Sequence, residues 1–374
     1  MAGIYLHIPF CKQACHYCDF HFSTSLKKKD EMIAALIQEL HLRKKEITEP
    51  VETIYFGGGT PSVLSNEEID QILKPIFSLF NVIENPEITL EANPDDLPKD
   101  RIKQLAESKI NRLSIGVQSF YNEDLQMMNR AHNADEAWNS LVEATNYFDN
   151  ISIDLIYGIP NMTLERWKSN VQKALDLGIN HISTYALTVE PKTALASLIK
   201  KGKIAQPDDG NAHEHFLALI EMLENAGFIH YELSNFGKPD YFSKNNSAYW
   251  LGKKYLGIGP SAHSFNGINR SWNIAKNSLY IRSIQKNELP NETETLRTQD
   301  RYNEYIMTGL RTIWGVSLDR IENEFGTNYK DYLLKEAQRF IDNEQLQLVD
   351  NVLKTTVKGK FFGDGIASEL FWVE

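Results

Sequence analysis

With 374 residues, 42% hydrophobic and 24% charged, the chain has the composition of a globular protein, long enough for one barrel-sized domain and a smaller one. A formal charge of −11 argues against nucleic acid or an anionic membrane surface as the main partner, since both need positive patches. The longest apolar runs are too short to span a bilayer and MAGIYLHIPF lacks the basic start of a secretion signal, so a cytoplasmic protein without a transmembrane segment is expected.

Along the chain, the apolar runs IYLHI, TIYFGGG, EITLEAN, RLSIGVQ, ISIDLIYG, HISTYAL and HYELSNF recur roughly every 25 to 45 residues. They read as parallel strands. Between them lie helical patterns: Met32, Ile33, Leu36, Ile37 and Leu40 share one face, as do Leu164, Trp167, Val171 and Leu175. Ser65 with Glu68 forms a capping box that starts a further helix. Six or seven strand–helix alternations require crossovers, and hence a β/α barrel or a doubly wound sheet. The three cysteines, GGGTP, Glu91, Gln118, Asp154 and Tyr185 fall at or just past the ends of successive strands. That distribution favours an α/β fold of the partial (β/α) TIM-like barrel type, whose site gathers at the C-terminal ends of its strands. The barrel is expected over residues 1–235. A connecting segment with NNSAYW and GPSAHSF follows over 236–290, and the βα rhythm stops near Asn291. Residues 291–374 read as a helical, winged-helix-like domain, with YNEYIMTGLRTI and YLLKEAQRFIDN as helices and QLQLVD as a short strand. Such a domain serves either as a packing cap or in nucleic-acid binding, and the acidic charge favours the cap.

All three cysteines lie in CKQACHYC, as Cys11, Cys15 and Cys18. An odd count rules out a full disulfide set. Thiolates are soft ligands that suit iron–sulfur or zinc. Three of them match three corners of a [4Fe-4S] cube and leave the fourth iron open. A zinc site would need a fourth ligand, which His16 or His21 could supply.

From these residues onward the chain resembles the radical S-adenosylmethionine (SAM) superfamily. Within it, the chain is most similar to the coproporphyrinogen III oxidase (dehydrogenase) family and that family's heme chaperone branch. YLHIPFCKQACHYCDF, IYFGGGTPSVL, TLEANPDD, NRLSIGVQSF, SIDLIYGIP, TYALTVEP, YELSNF and YLGIGPSAHSF carry the resemblance across roughly residues 4 to 265. It implies a [4Fe-4S] cluster on the three cysteines, with SAM on the open iron and release of a 5′-deoxyadenosyl radical as the available chemistry. An electron donor for the cluster is implied as well. Carried over position by position, it places Gly58, Gly59, Thr60, Glu91, Gln118, Arg130, Asp154 and Ala186 at the SAM site, with Tyr5, Tyr17 and His263 beside them. In the residues themselves, GGGTP also reads as a tight turn. Glu91 reads equally as half of an internal salt bridge, and Arg130 and Asp154 as a structural ion pair. Arg130 is a fork suited to a carboxylate, such as that of SAM.

Two activities compete under this resemblance. One is a heme chaperone, which binds heme and passes it to an acceptor protein; the resemblance suggests respiratory heme enzymes as acceptors. The other is a dehydrogenase that oxidatively decarboxylates coproporphyrinogen III. The family's dehydrogenases carry a long segment before the cluster and a further cysteine two residues after the third ligand, where this chain has ten residues and Phe20. Both features point to the chaperone. Chaperones of this branch carry His-Asn-x-x-Tyr-Trp, linked with heme. Here Asn245 stands in the histidine position, while Asn246, Tyr249 and Trp250 are retained. His263 or a Tyr249 tyrosinate are the alternative iron ligands, and aromatic packing is the other role open to Tyr249 and Trp250.

Overall fold

The computed structural model describes residues 1–373. Strands β1 (Ala2–Ile8), β2 (Val51–Gly58), β3 (Val82–Ala92), β4 (Arg112–Gln118), β5 (Ile151–Tyr157) and β6 (His181–Ala186) lie parallel and side by side in chain order. Side chains alternate across a strand, so each strand serves two faces. Ile4, Leu6 and Ile8, Ile54 and Phe56, and Ile88 and Leu90 pack into the main hydrophobic core. The intervening Tyr5, His7, Tyr55 and Glu91 line the opposite, inner face. Helices cover the core side. Helix Lys29–Leu42 buries Met32, Ile33, Leu36 and Leu40, and helix Leu164–Asp176 buries Trp167 and Val171. Helix Asn66–Leu79 opens with the expected capping box: Glu68 N donates to Ser65 Oγ (3.2 Å) and Ser65 N to Glu68 Oε2 (2.7 Å).

HYELSNF departs from the expectation of a seventh parallel strand. It forms a hairpin of β7 (Ile229–Glu232) and β8 (Asn235–Gly237), and β8 runs antiparallel to β6. No crossover helix separates the two short strands, and without one a parallel pairing is out of reach. On the other side, β9 (Lys254–Ile258) pairs parallel with β1. The antiparallel strands β10 (His263–Phe265), β11 (Asn269–Asn273) and β12 (Asn291–Thr295) then complete a twelve-stranded sheet. Its edges are β12 and β7.

One buried carboxylate ties this extension to the barrel. Glu39, fully buried, accepts from Arg43 Nη1 (3.1 Å), Asn273 Nδ2 (2.7 Å), Tyr280 Oη (2.5 Å) and Gly259 N (2.8 Å). Arg43 also donates to the carbonyl of Gly257 at 2.8 Å. The pair thus clamps the first helix to β9 and β11.

The C-terminal unit has its own core, built on Tyr302, Ile306, Ile321, Leu333 and Leu353. Helix Thr298–Leu310 is followed by β13 (Val316–Ser317), helices Leu318–Phe325 and Thr327–Asp342, and the hairpin β14 (Leu346–Val349) and β15 (Val352–Thr355). Helix, strand, two helices and a hairpin form the winged-helix order. Helix Thr298–Leu310 starts just beyond β12 and ends at the opposite edge of the large sheet. There Thr312 bridges Glu232, and Ile313 N donates to the Tyr231 carbonyl (3.0 Å). Thirteen residues at 1.5 Å rise make a rod of about 20 Å across the opening of the sheet.

Candidate functional site

The loop carrying Cys11, Cys15 and Cys18 leaves the end of β1 and lies against the ends of β2, β3 and β4. It is held at several points. Cys11 N donates to the Ser23 carbonyl (3.1 Å), His16 N to Met128 O (3.0 Å), and Asn129 Nδ2 to Ala14 O (2.7 Å). All three thiols are free and partly accessible. Burial pushes the Cys11 thiol up and that of Cys18 to about 11. Thr60 Oγ1, 3.4 Å from Cys11 Sγ, opposes the rise at Cys11, and Arg130 Nη1 lies 3.2 Å from Cys15 Sγ. Such hydrogen bonds favour thiolates and tune a cluster bound through them. Among the described residues, no three His, Cys, Asp or Glu side chains converge to hold a single metal ion. His16 Nδ1 bonds Met127 O (2.8 Å) and His21 Nε2 bonds Asn277 Oδ1 (2.6 Å). The arrangement fits separate corners of a cube better than a tetrahedral zinc.

Next to the loop, Gly57–Gly59 bring the end of β2 against β1. A Cβ on Gly59 would stand 2.6 Å from Phe10 O and 2.9 Å from Ile8 O, both backbone atoms. Gly58 has φ 107°, in the region that favours glycine, and its N–H donates to Glu91 Oε2 (3.2 Å). Glu91 also accepts from Tyr55 Oη (2.8 Å). No Lys or Arg pairs with it among the described residues. Burial raises its carboxyl to about 7, against the Tyr55 hydrogen bond and with the charge of Asp154 adding. Asp154 is raised by burial to about 6, with the Ser183 hydrogen bond opposing. It sits in the middle of β5, deeper than the strand end where the sequence places it. A cationic ligand entering this face would restore both carboxylates to their charged forms.

Arg130 reaches the same place from the turn after helix Asn122–Met127. Nη2 donates to Asn93 Oδ1 (2.6 Å) and Gly116 O (2.8 Å), and Nη1 also approaches Tyr17 Oη (3.4 Å). Its fork is thus spent on the chain itself, with no carboxylate partner, while the buried Nε has no acceptor. Gln118, at the end of β4, is buried and has φ 68°, a strained conformation of the kind that collects at functional sites. Ala186 ends β6 with its side chain exposed.

A cleft on the inner face is lined by Tyr5, His7, Phe20, Gly58, Glu91, Tyr249 and His263. His7 Nε2 donates to the His21 carbonyl (2.9 Å), which leaves Nδ1 to accept from Tyr5 Oη (3.3 Å). Burial holds this imidazole at about 4, in its neutral form. Phe20 is 70% exposed and turns into the cleft. His263 stands at the rim, its ring 6.1 Å from that of Trp272.

The NNSAYW stretch forms helix Lys244–Trp250, capped by Ser243 Oγ, which accepts from Asn246 N (3.3 Å). Asn245 is buried, at 4% exposure, and meets Thr53 Oγ1 at 3.2 Å beneath the helix. Tyr249 packs edge-on against Tyr255 (4.6 Å), and burial drives its hydroxyl well up, which opposes a tyrosinate there. Trp250 lies under the Arg311 guanidinium of the C-terminal unit (5.2 Å). Among the residues singled out in the sequence, Cys15 and Arg130, Cys11 and Thr60, and Gly58 and Glu91 are in contact, whereas Arg130 and Asp154 form no ion pair. Asn246 and Trp250 stand apart from the cluster loop.

The sequence model of the Radical SAM superfamily matches residues 5–174, and that of the HemN C-terminal domain matches residues 296–362. The heme chaperone HemW of Bacillus subtilis is 33% identical over 375 aligned positions, covering 98% of each chain. HemW of Lactococcus lactis is 34% identical, over 97% of this chain and 95% of its own. The chain belongs to the HemW heme chaperone family of radical SAM proteins. Its fold is that of coproporphyrinogen III oxidase (HemN) from Escherichia coli, a radical SAM enzyme, with a TM-score of 0.86 at 23% identity over 99% of this chain and 90% of that one. Radical SAM membership brings with it a [4Fe-4S] cluster and SAM, and the thiols, their donors and the glycine approach fit both. Among the described residues no helix is long and apolar enough to cross a membrane. Three residues did not stand out in the sequence: His7, which lines the cleft, Asn93, which accepts from Arg130, and Tyr55, which donates to Glu91. All three sit where an alternating pattern turns a side chain inward at or near a strand end, and that pattern was their available signal.

Proposed function

We propose that this protein is a cytoplasmic heme chaperone of the radical SAM type. In this reading Cys11, Cys15 and Cys18 hold the [4Fe-4S] cluster. SAM lies against Gly58, Gly59, Thr60, Glu91, Gln118, Arg130, Asp154 and Ala186, with Tyr5, Tyr17 and His263 at the border. Heme meets Tyr249 and Trp250, an electron donor serves the cluster, and an acceptor protein receives the heme. When bound, the cluster and SAM supply one-electron reduction at a sulfonium. The chain's own residues do the binding and orienting. Thr60 and Arg130 donate toward the sulfurs, Gly58 to Gly59 let a ligand approach the backbone, and Glu91 with Asp154 offer negative charge to a cation.

The observation that carries the reading is the 33% identity to a protein named heme chaperone HemW, spread over 98% of both chains. Phe20, which turns into the cleft where the dehydrogenases of the family carry a cysteine, supports it. The test is anaerobic turnover of reconstituted protein with reductant, SAM and coproporphyrinogen III beside active HemN, followed by heme titration and transfer to an apo-acceptor. The expected result is no decarboxylated porphyrin and a stable heme complex that hands heme on. Decarboxylated product at the HemN rate would replace the chaperone by the dehydrogenase.

A further inference from the structure

Between the large sheet and the C-terminal unit runs an open groove of about 300 Å³. Trp250, Tyr255 and Phe265 wall it on the sheet side, and Tyr305 and Phe325 on the side of the C-terminal helices. Arg270, Arg301 and Arg320 line it against two carboxylates, Glu304 and Glu324. Arg270 is paired with Glu304. Glu324 is shared, with Arg320 Nε at 2.8 Å and Arg301 Nη2 at 3.6 Å. Arg270 also meets Glu294 just outside the lining (3.6 Å), so the surplus positive charge is the one that Arg301 and Arg320 leave over their shared Glu324, in a chain of net charge −11. Arg320 lies over the Tyr305 ring (4.2 Å) and Arg301 over Phe325 (5.7 Å). No hydrogen bond engages the Nη atoms of either side chain among the described residues. The two guanidinium groups thus share the single Glu324 carboxylate and keep Nη donors open to a further acceptor.

A flat ligand with apolar faces and carboxylates along one edge satisfies all of these features, and a porphyrin dicarboxylate is such a ligand. We propose that this groove is the heme site and that Arg301 and Arg320 hold the two propionates. The inference rests on the heme reading above and adds to it the C-terminal unit as one wall of the site. Tyr249 and Tyr255 line this groove and also the cluster-side cleft, so the two sites share a partition. An acidic peptide would match the charge but has no use for six aromatic side chains around one groove.

The test is anaerobic titration of the cluster-reconstituted full chain with hemin and with hemin dimethyl ester, which has the same ring but no free carboxylates. Losing charge-assisted hydrogen bonds to both propionates should raise the hemin Kd about tenfold or more in Arg301→Ala/Arg320→Ala, with ester affinity the same in both proteins. In the wild type, hemin should bind about tenfold or more tightly than the ester. Unchanged hemin affinity in the double variant, or equal affinity of the wild type for acid and ester, overturns the groove assignment. The second comparison stands even where the double variant does not fold. Failure of the wild type to bind hemin at all is a separate result, which overturns the heme reading itself.

Discussion

Replacing Glu91 by Gln in cluster-free, SAM-free protein isolates the cost of holding a carboxylate on the inner face. Burial raises this carboxyl from 4.5 to about 7, even though Tyr55 and Gly58 donate to it. A group that holds its proton more tightly when folded stabilises the fold below its unfolded pKa, and that contribution disappears as pH rises through the folded value. The window is therefore about pH 4.5 to 7. At about 1.4 kcal/mol per unit the full gap corresponds to about 3 kcal/mol. Glu91 borders an open cleft, and water there reduces the effect to about 1–2 kcal/mol. Glutamine preserves the local bonding, because its carbonyl accepts from Gly58 N and its amide donates to a rotated Tyr55 hydroxyl. Urea unfolding followed by circular dichroism should show the variant gaining about 1–2 kcal/mol on the wild type between pH 5 and pH 8. Parallel stability profiles over that range would refute burial as the origin of the shift.

Gly59→Ala should cost about 1–3 kcal/mol and lower iron and sulfide content after reconstitution, because the added methyl meets backbone atoms of the strand leading to Cys11. Full cluster content at unchanged thermal stability would contradict this. Arg130→Ala strips the donors from Asn93 Oδ1 and Gly116 O, for a loss of about 1–3 kcal/mol. It should also weaken SAM binding about tenfold by calorimetry; unchanged affinity removes Arg130 from that site. Cys15→Ser should abolish the brown absorbance of reconstituted protein, and full iron content would count against the cluster assignment. Glu39→Ala leaves Arg43 buried with less than its full complement of charge, and a loss of about 3–5 kcal/mol is expected in denaturant unfolding. A loss below 1 kcal/mol there would show that water fills the gap at little cost.

The barrel strands were legible because each combines an apolar run with a period of two. Ile4, Leu6 and Ile8 point to the helices while Tyr5 and His7 point inward, and the sequence shows that alternation openly. HYELSNF misled because a turn after Glu232 breaks one apparent run into two strands too short to carry a pattern of their own. Strand β9 was hidden in the same way, since KYLGI follows NNSAYW with only Leu251, Gly252 and Lys253 between. At the site, spacing brought out the cysteines. Nothing local reveals that Arg130 spends its fork on Asn93 and Gly116, because those partners come from two other strand ends. Asn245 is the sharpest case. Its sequence position suggests a failed iron ligand, yet its side chain is a strut between helix and sheet, which only tertiary placement reveals.

Helix Thr298–Leu310 begins beside β12 and ends pinned to β7, so it spans the gap between the two free edges of the sheet. A rigid crossbar of fixed length sets the width of the frame it joins. The barrel cannot splay or narrow without tilting that bar or breaking the Thr312–Glu232 bridge, and the same bar carries Arg301, Glu304, Tyr305 and Met307 into the groove. Frame and groove thereby share one element, and amide exchange at Ile313, whose N–H donates to the Tyr231 carbonyl, should report on how firmly that element is held to β7.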